Sequence, residues 1–224
     1  MMEKQQSTSQ RKIKVVGTGP GAVEYITPIA KQAIEQADVV VGAKRLLEAF
    51  AVPGQQQLIV DKELLNVVTQ MKNLQKLNNI TVLVSGDTGI FSFANYLTKH
   101  FQAKELVFIP GISSVQVMFA RLQRPWVEAQ IISMHGRTEA GLVDIIQGAK
   151  VTAMVTGTPW TPQTIAKKLL DSLAMEIVAC DWRVAIGKDL TYAHEQIINT
   201  TIGTLVDDKN DYSNSVMVIW NDSQ

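Results

Sequence analysis

Ile13-Lys14-Val15-Val16-Gly17-Thr18-Gly19-Pro20-Gly21-Ala22 is the stretch on which the reading of this chain turns. Its first four residues form a short, mostly apolar run that stops at glycines, the mark of a buried strand feeding a tight turn. Thr27-Pro28 then opens a helix, because threonine caps well and proline suits the first helical position. Ile26, Ala30, Ile34 and Ala37 share one face at helical spacing. A second apolar run, Asp38-Val39-Val40-Val41-Gly42, makes the next strand. The glycines match G-x-G-x-x-A between a strand and a helix, a place where a ligand can approach the backbone. They fit a nicotinamide dinucleotide poorly. Pro20 removes an N–H from the loop. The second strand runs into Gly42-Ala43-Lys44-Arg45, with no acid placed to hold a ribose. Arg45 can still meet a 2′-phosphate, so an NADP-type binding module stays open beside a plain tight turn.

The same rhythm continues outward. Asp61 precedes a helix expected to run to about Leu77, with Leu64, Val68 and Met71 on one stripe. Residues 80–84 (ITVLV) and 105–109 (ELVFI) read as strands, with a helix over 91–100 between them. Strands that alternate with helices predict a parallel sheet covered by helices. Past Pro110-Gly111 the pattern changes. A helix near 113–122 leads to strands at 129–133 and 151–155 with a helix between them, then a helix at 162–173. Strands at 176–180, 183–186, 196–198 and 215–220 follow at spacings that favour antiparallel pairing. The expected fold is α/β: an N-terminal α/β domain with a parallel sheet over 12–112, and a C-terminal domain with a mixed sheet over 113–224.

Composition bounds the function. The chain has 224 residues, 46% of them hydrophobic, enough for two domains with real cores. Its 21 basic residues balance 21 acidic ones, which argues against nucleic acid as a partner but leaves room for a local basic patch. The single cysteine, Cys180, rules out an intrachain disulfide and fits a reducing, cytoplasmic setting. Residues 1–11 are polar and read as a disordered tail rather than a secretory signal. No run approaches the roughly 18–20 apolar residues of a membrane span, so no membrane role is expected. His100, His135 and His194 lack metal-ligand spacing, and no metal site is expected.

Four further motifs follow apolar strands, where open α/β sheets gather their ligands. Ser85-Gly86-Asp87-Thr88-Gly89-Ile90 places a carboxylate where it can accept from a ligand hydroxyl or amine, or simply cap the next helix. Pro110-Gly111-Ile112-Ser113-Ser114 offers hydroxyls and free N–H groups at a helix start. Ser133-Met134-His135-Gly136-Arg137 sets an imidazole and a guanidinium in one loop, suited to carboxylates. Thr156-Gly157-Thr158-Pro159 is a polar turn before another helix. Each alone is an ordinary turn. Together they describe what a cleft between two α/β domains requires.

The five motifs, in this order and spacing, resemble the tetrapyrrole methylases of sirohaem and cobalamin synthesis over residues 12–220. The segments VVGTGPGAVEYITPIAKQAIEQADVVVGAKRLL, SGDTGIFS, IPGISSVQVMFARLQRPW and SMHGR are most similar to the branch that methylates C-5 of precorrin-7 or cobalt-precorrin-7. The resemblance implies a homodimer and an S-adenosyl-L-methionine donor lying between the domains. It implies Pro20 at the floor, with Ser85, Gly86, Asp87 and Ile90 around the methionine and ribose. Ser113 and Ser114 would contact the donor from the next turn, and Thr156, Gly157 and Leu190 would line the adenine side. In one place the chain departs from the pattern: Thr88 follows Asp87 where many members have proline.

The donor's sulfonium is already electrophilic, so such a protein works by aligning carbon, methyl and sulfur and excluding water. Asp87 and His135 are the candidate bases for proton loss from the methylated ring. Gly19, Arg45, Arg121, Arg124, His135 and Arg137 are the candidate contacts to the tetrapyrrole and its carboxylates, each arginine having a solvated surface charge as its ordinary alternative. A separate protein would supply the linked decarboxylation and C-15 methylation. Methylation at another position of the macrocycle, and a non-catalytic nucleotide-sensing module, remain open at this point.

Overall fold

The computed structural model describes residues 11–134, 141–172 and 182–221. They fall into two compact units, one ending at Ser113 and the other beginning at Ser114. The first unit runs β1 (Ile13–Gly17), α1 (Pro28–Glu35), β2 (Val39–Gly42), α2 (Lys44–Phe50), β3 (Gln56–Ile59), α3 (Leu64–Leu74), β4 (Ile80–Val84), α4 (Ala94–Leu97) and β5 (Leu106–Ile109). Its five strands lie in the order β3-β2-β4-β1-β5, and every neighbouring pair is parallel. The parallel sheet expected from the strand–helix alternation is therefore present.

Covering both faces explains why β2 reads as an unbroken apolar run and β4 as one broken only by Thr81, whose hydroxyl donates to Ala33 O. Val15, Val39, Val41, Val82 and Val84 pack on one side with Val67, Val68 and Met71 of α3. Val16, Val40 and Leu83 pack on the other with Ala30, Ala33 and Ile34 of α1. Each buried valine, leucine, isoleucine or methionine among them contributes about 1.5–3 kcal/mol relative to exposure. Thr27 caps α1 as expected, its hydroxyl accepting from Ala30 N at 3.3 Å. The helix expected over 91–100 shrinks to Ala94–Leu97. Phe91 sits at φ 48°, outside the helical region, and the Ser92 hydroxyl donates to Thr88 O at 2.6 Å. The local side-chain bond competes with a helical start.

The second unit runs α5 (Ser114–Arg121), β6 (Ala129–Ser133), α6 (Leu142–Gln147), β7 (Val151–Val155), α7 (Pro162–Ser172), β8 (Arg183–Lys188), β9 (Gln196–Thr201), α8 (Ile202–Leu205) and β10 (Ser215–Trp220). The strand order is β6-β7-β10-β8-β9. β6 and β7 are parallel, while β10 pairs antiparallel with β7 and β8, and β8 with β9. This is the expected mixed sheet. One face buries Met154, Ile186, Met217 and Ile219 against Ile146, Ile165, Leu169, Ile202 and Leu205. α5 lies against β7 and β10. Gly187 makes room for its Met118: a Cβ there would stand 2.5 Å from the Met118 sulfur. The strand expected at 176–180 lies outside the described residues. Among the described residues no helix is long and apolar enough to cross a membrane.

Candidate active site

The order β2-β4-β1-β5 sets the carboxyl ends of four parallel strands side by side, and the first three polar turns leave from three of them. Their meeting is governed by glycine. A Cβ on Gly17 would lie 2.6 Å from both Gly111 N and Gly86 O, and one on Gly111 only 2.3 Å from Gly86 O. No side chain fits where three backbones meet this closely. Gly19 and Gly86, at φ 88° and 66°, exchange hydrogen bonds across an isolated bridge, Gly19 N to Gly86 O at 3.2 Å and Gly86 N to Gly19 O at 2.8 Å. Buried Thr18 donates twice to Val84 O, from its N–H at 2.9 Å and its hydroxyl at 3.0 Å. The glycine-rich turn is thus a joint between turns before it is a surface for a ligand.

Asp87 braces the same joint. Its Oδ1 accepts from Gly89 N at 2.7 Å and its Oδ2 from Gly111 N at 3.1 Å. The carboxylate is half-buried, and two accepted bonds leave lone pairs on both oxygens. It can therefore take a further donor without leaving its place. Around it Ser85 is exposed, while Pro20, Gly86 and Ile90 are half-buried. The Arg45 guanidinium donates to the Ser85 hydroxyl, so a residue expected to meet substrate stands beside one expected to meet the donor. Ser113 is buried and Ser114 begins α5.

In the second unit Thr156 is buried at the end of β7. Its N–H donates to Ser215 O at 3.1 Å, and its hydroxyl lies 2.8 Å from that carbonyl and 2.7 Å from the Ser215 hydroxyl. Gly157 N donates to Trp160 O at 3.1 Å, which closes the turn. Leu190 is buried beside Gly187, where an added Cβ would stand 2.8 Å from Leu190 Cδ2. Asp189 and Thr191 on either side of it have φ of 47° and 72°, which side chains other than glycine's rarely adopt.

The arginines divide. Arg121 grips Glu195 with a two-pronged ion pair, Nε–Oε1 at 2.5 Å and Nη2–Oε2 at 3.2 Å. The Arg121 hydrogen bond is the first cause that holds the Glu195 carboxyl below its ordinary value, helped by the bond from Thr191 N and opposed by burial. Arg124 lies 5.4 Å from the Trp220 ring centre, with Arg183 at 5.9 Å, beside a groove of about 360 Å³ that Arg121 also lines. Trp220 and Ser215 are opposite ends of β10, about 17 Å apart at ordinary strand rise. Arg124 is therefore remote from Thr156. His135 and Arg137 lie outside the described residues. Among the described residues no cluster of three His, Cys, Asp or Glu could hold a metal ion. Asp189, Glu195, Asn214 and Ser215 carry no signal in the sequence, because their partners are distant in the chain or belong to turns without a motif.

The model of the tetrapyrrole (corrin/porphyrin) methylases matches residues 12–206. The chain belongs to this family. It is a methyltransferase, and the NADP-type module falls away. A probable cobalt-precorrin-7 C(5)-methyltransferase of Methanocaldococcus jannaschii is 30% identical over 83% of this chain and 87% of its own length. The cobalt-precorrin-7 C(5)-methyltransferase of Salmonella typhimurium is 29% identical over 83% of this chain and 97% of its own. Among solved structures, a Thermus thermophilus uroporphyrin-III C-methyltransferase complexed with S-adenosyl homocysteine has the same fold, with TM-score 0.74 at 16% identity over 93% and 92% of the two chains.

Proposed function

We propose that this tetrapyrrole methylase transfers a methyl group from S-adenosyl-L-methionine to C-5 of cobalt-precorrin-7 or precorrin-7. The likeness to the C(5)-methyltransferase of Methanocaldococcus jannaschii over most of both chains carries the choice of position. The donor supplies its methyl on a sulfonium, an electrophile that needs no further activation. The residues' task is then to orient and to exclude water.

In the first unit the donor contacts are Pro20, Ser85, Gly86, Asp87, Ile90 and Ser113; in the second they are Ser114, Thr156, Gly157 and Leu190. Asp87 fits its part, since two backbone N–H groups fix its carboxylate while it keeps lone pairs for a ribose hydroxyl or an amine. A group held before binding loses little freedom on binding. Gly19, Arg45, His135 and Arg137 are assigned to the tetrapyrrole and its carboxylates, Arg124 standing too far from Thr156 to join them, and Asp87 or His135 to proton removal. The lone Cys180 supports a cytoplasmic setting. A homodimer, and a separate decarboxylating C-15 methyltransferase acting on the same macrocycle, complete the reading.

The test is methyl transfer from carbon-labelled donor to cobalt-precorrin-7 and precorrin-7, followed by mass spectrometry and NMR of the product. Label at C-5 is expected. Label at another carbon, or binding of donor with no transfer to any precorrin, overturns the assignment.

A further inference from the structure

The turn around Leu190 is held in a conformation its own residues do not favour. Asp189 and Thr191 both carry side chains at positive φ, a backbone conformation that their surroundings must hold in place. Two sets of contacts do so. On the Asp189 side, its N–H donates to Asn214 O at 3.0 Å and its carboxylate accepts from Asn214 Nδ2 at 2.9 Å, with His194 Nε2 at 3.3 Å. On the Thr191 side, its N–H donates to Glu195 Oε2 at 2.6 Å, and Glu195 is in turn clasped by Arg121 from the last turn of α5. Met118, one helical turn before Arg121, shares with Leu190 the space that Gly187 leaves. The backbone at Thr191 is thus tied through one carboxylate to the helix that carries Met118.

We infer that Arg121 and Glu195 are positioning residues, whose ion pair sets the place of Leu190 and so governs affinity for the methyl donor. This assignment rests on Leu190 serving the donor, as proposed above. It replaces the expectation that Arg121 meets a substrate carboxylate. Glu195 already occupies two of its nitrogens, and a planar guanidinium suits that two-pronged grip better than a lysine would. The pair lies partly exposed, with side-chain exposures of 37% for Arg121 and 19% for Glu195, so it acts as a strut and adds little to global stability.

The experiment compares Arg121→Gln, Arg121→Lys, Glu195→Gln and Leu190→Ala in the full chain. S-adenosyl-L-homocysteine is titrated by calorimetry, KM is measured separately for donor and tetrapyrrole, and amide exchange is followed at Thr191. Arg121→Gln and Glu195→Gln should each weaken S-adenosyl-L-homocysteine and raise the donor KM about tenfold, with kcat far less affected. The double variant should be no worse than either single one, because both remove the same strut. Arg121→Lys should recover part of the loss, and Thr191 should exchange faster in the Gln variants at an unchanged melting temperature. A rise confined to the tetrapyrrole KM would return Arg121 to the substrate and overturn the inference. Unchanged S-adenosyl-L-homocysteine affinity in both Gln variants, with affinity lost in Leu190→Ala, would overturn it and leave the donor reading standing. Unchanged affinity in Leu190→Ala would remove Leu190 from the donor and the strut with it.

Discussion

The joint at Gly17, Gly86 and Gly111 and the turn at Leu190 solve one problem in opposite ways. Both hold irregular backbone in place at the end of a sheet. The first does so by backbone meeting backbone at distances that exclude any side chain, reinforced by the reciprocal Gly19–Gly86 bonds. The second does so with side chains: Asn214, Glu195 and, through Glu195, Arg121. Backbone packing cannot be adjusted by mutation without moving chains, whereas a side-chain brace can be weakened by degrees. The first region should therefore fail all at once, and the second gradually.

The sharpest test of that contrast is Gly111→Ala. The new methyl would meet Gly86 O at 2.3 Å, with backbone on both sides and nothing flexible to yield. A loss of about 4 kcal/mol or more is expected, or no folded protein at all, read from urea unfolding. A loss under 1 kcal/mol would show that the turns can part. Next comes Asp87→Ala, which strips a partner from Gly89 N and Gly111 N. About 1–3 kcal/mol of stability should go, together with affinity for S-adenosyl-L-methionine measured by calorimetry. Intact affinity would confine Asp87 to bracing.

Gly187→Ala carries the comparison into the second unit. Its methyl would also clash, but with the Met118 sulfur at 2.5 Å and Leu190 Cδ2 at 2.8 Å, both atoms of flexible side chains rather than backbone. A cost of about 1–2 kcal/mol is expected by thermal unfolding, partly relieved by adding Met118→Ala. Acid supplies the mildest probe. Because the folded-state value of Glu195 lies below its ordinary 4.5, its share of stability is present above that pH and lost as pH falls through the folded value. The wild type should lose slightly more stability than Glu195→Gln between pH 5 and pH 3, by denaturant midpoints, and equal losses would show that the brace carries no charge-dependent stability.

These contrasts also mark what sequence can convey. Apolar runs such as Ile80–Val84 declared buried strands because parallel sheets are covered on both faces. β3 escaped notice because Gln56-Gln57-Leu58-Ile59 buries only Leu58 at a sheet edge, so its pattern resembles a loop. α8 escaped because four residues show no period. The polar turns were visible as motifs, but the reason for their glycines was not. Gly17 reads as a place for a ligand until Gly111, from a turn far along the chain, is seen to fill it. Arg121 likewise reads as a free cation, because Glu195 lies 74 residues away and no local pattern couples them.

The rung between Gly19 and Gly86 has a kinetic consequence. Because each glycine is both donor and acceptor to the other, neither turn can breathe alone. Opening one severs the bonds of both, so their amides should exchange with solvent as a single event at one rate. A molecule that settles on either turn slows the pair together. Protection measured at Gly19 would then report occupancy at Gly86, and the carboxyl end of this sheet would answer a ligand as a single latch.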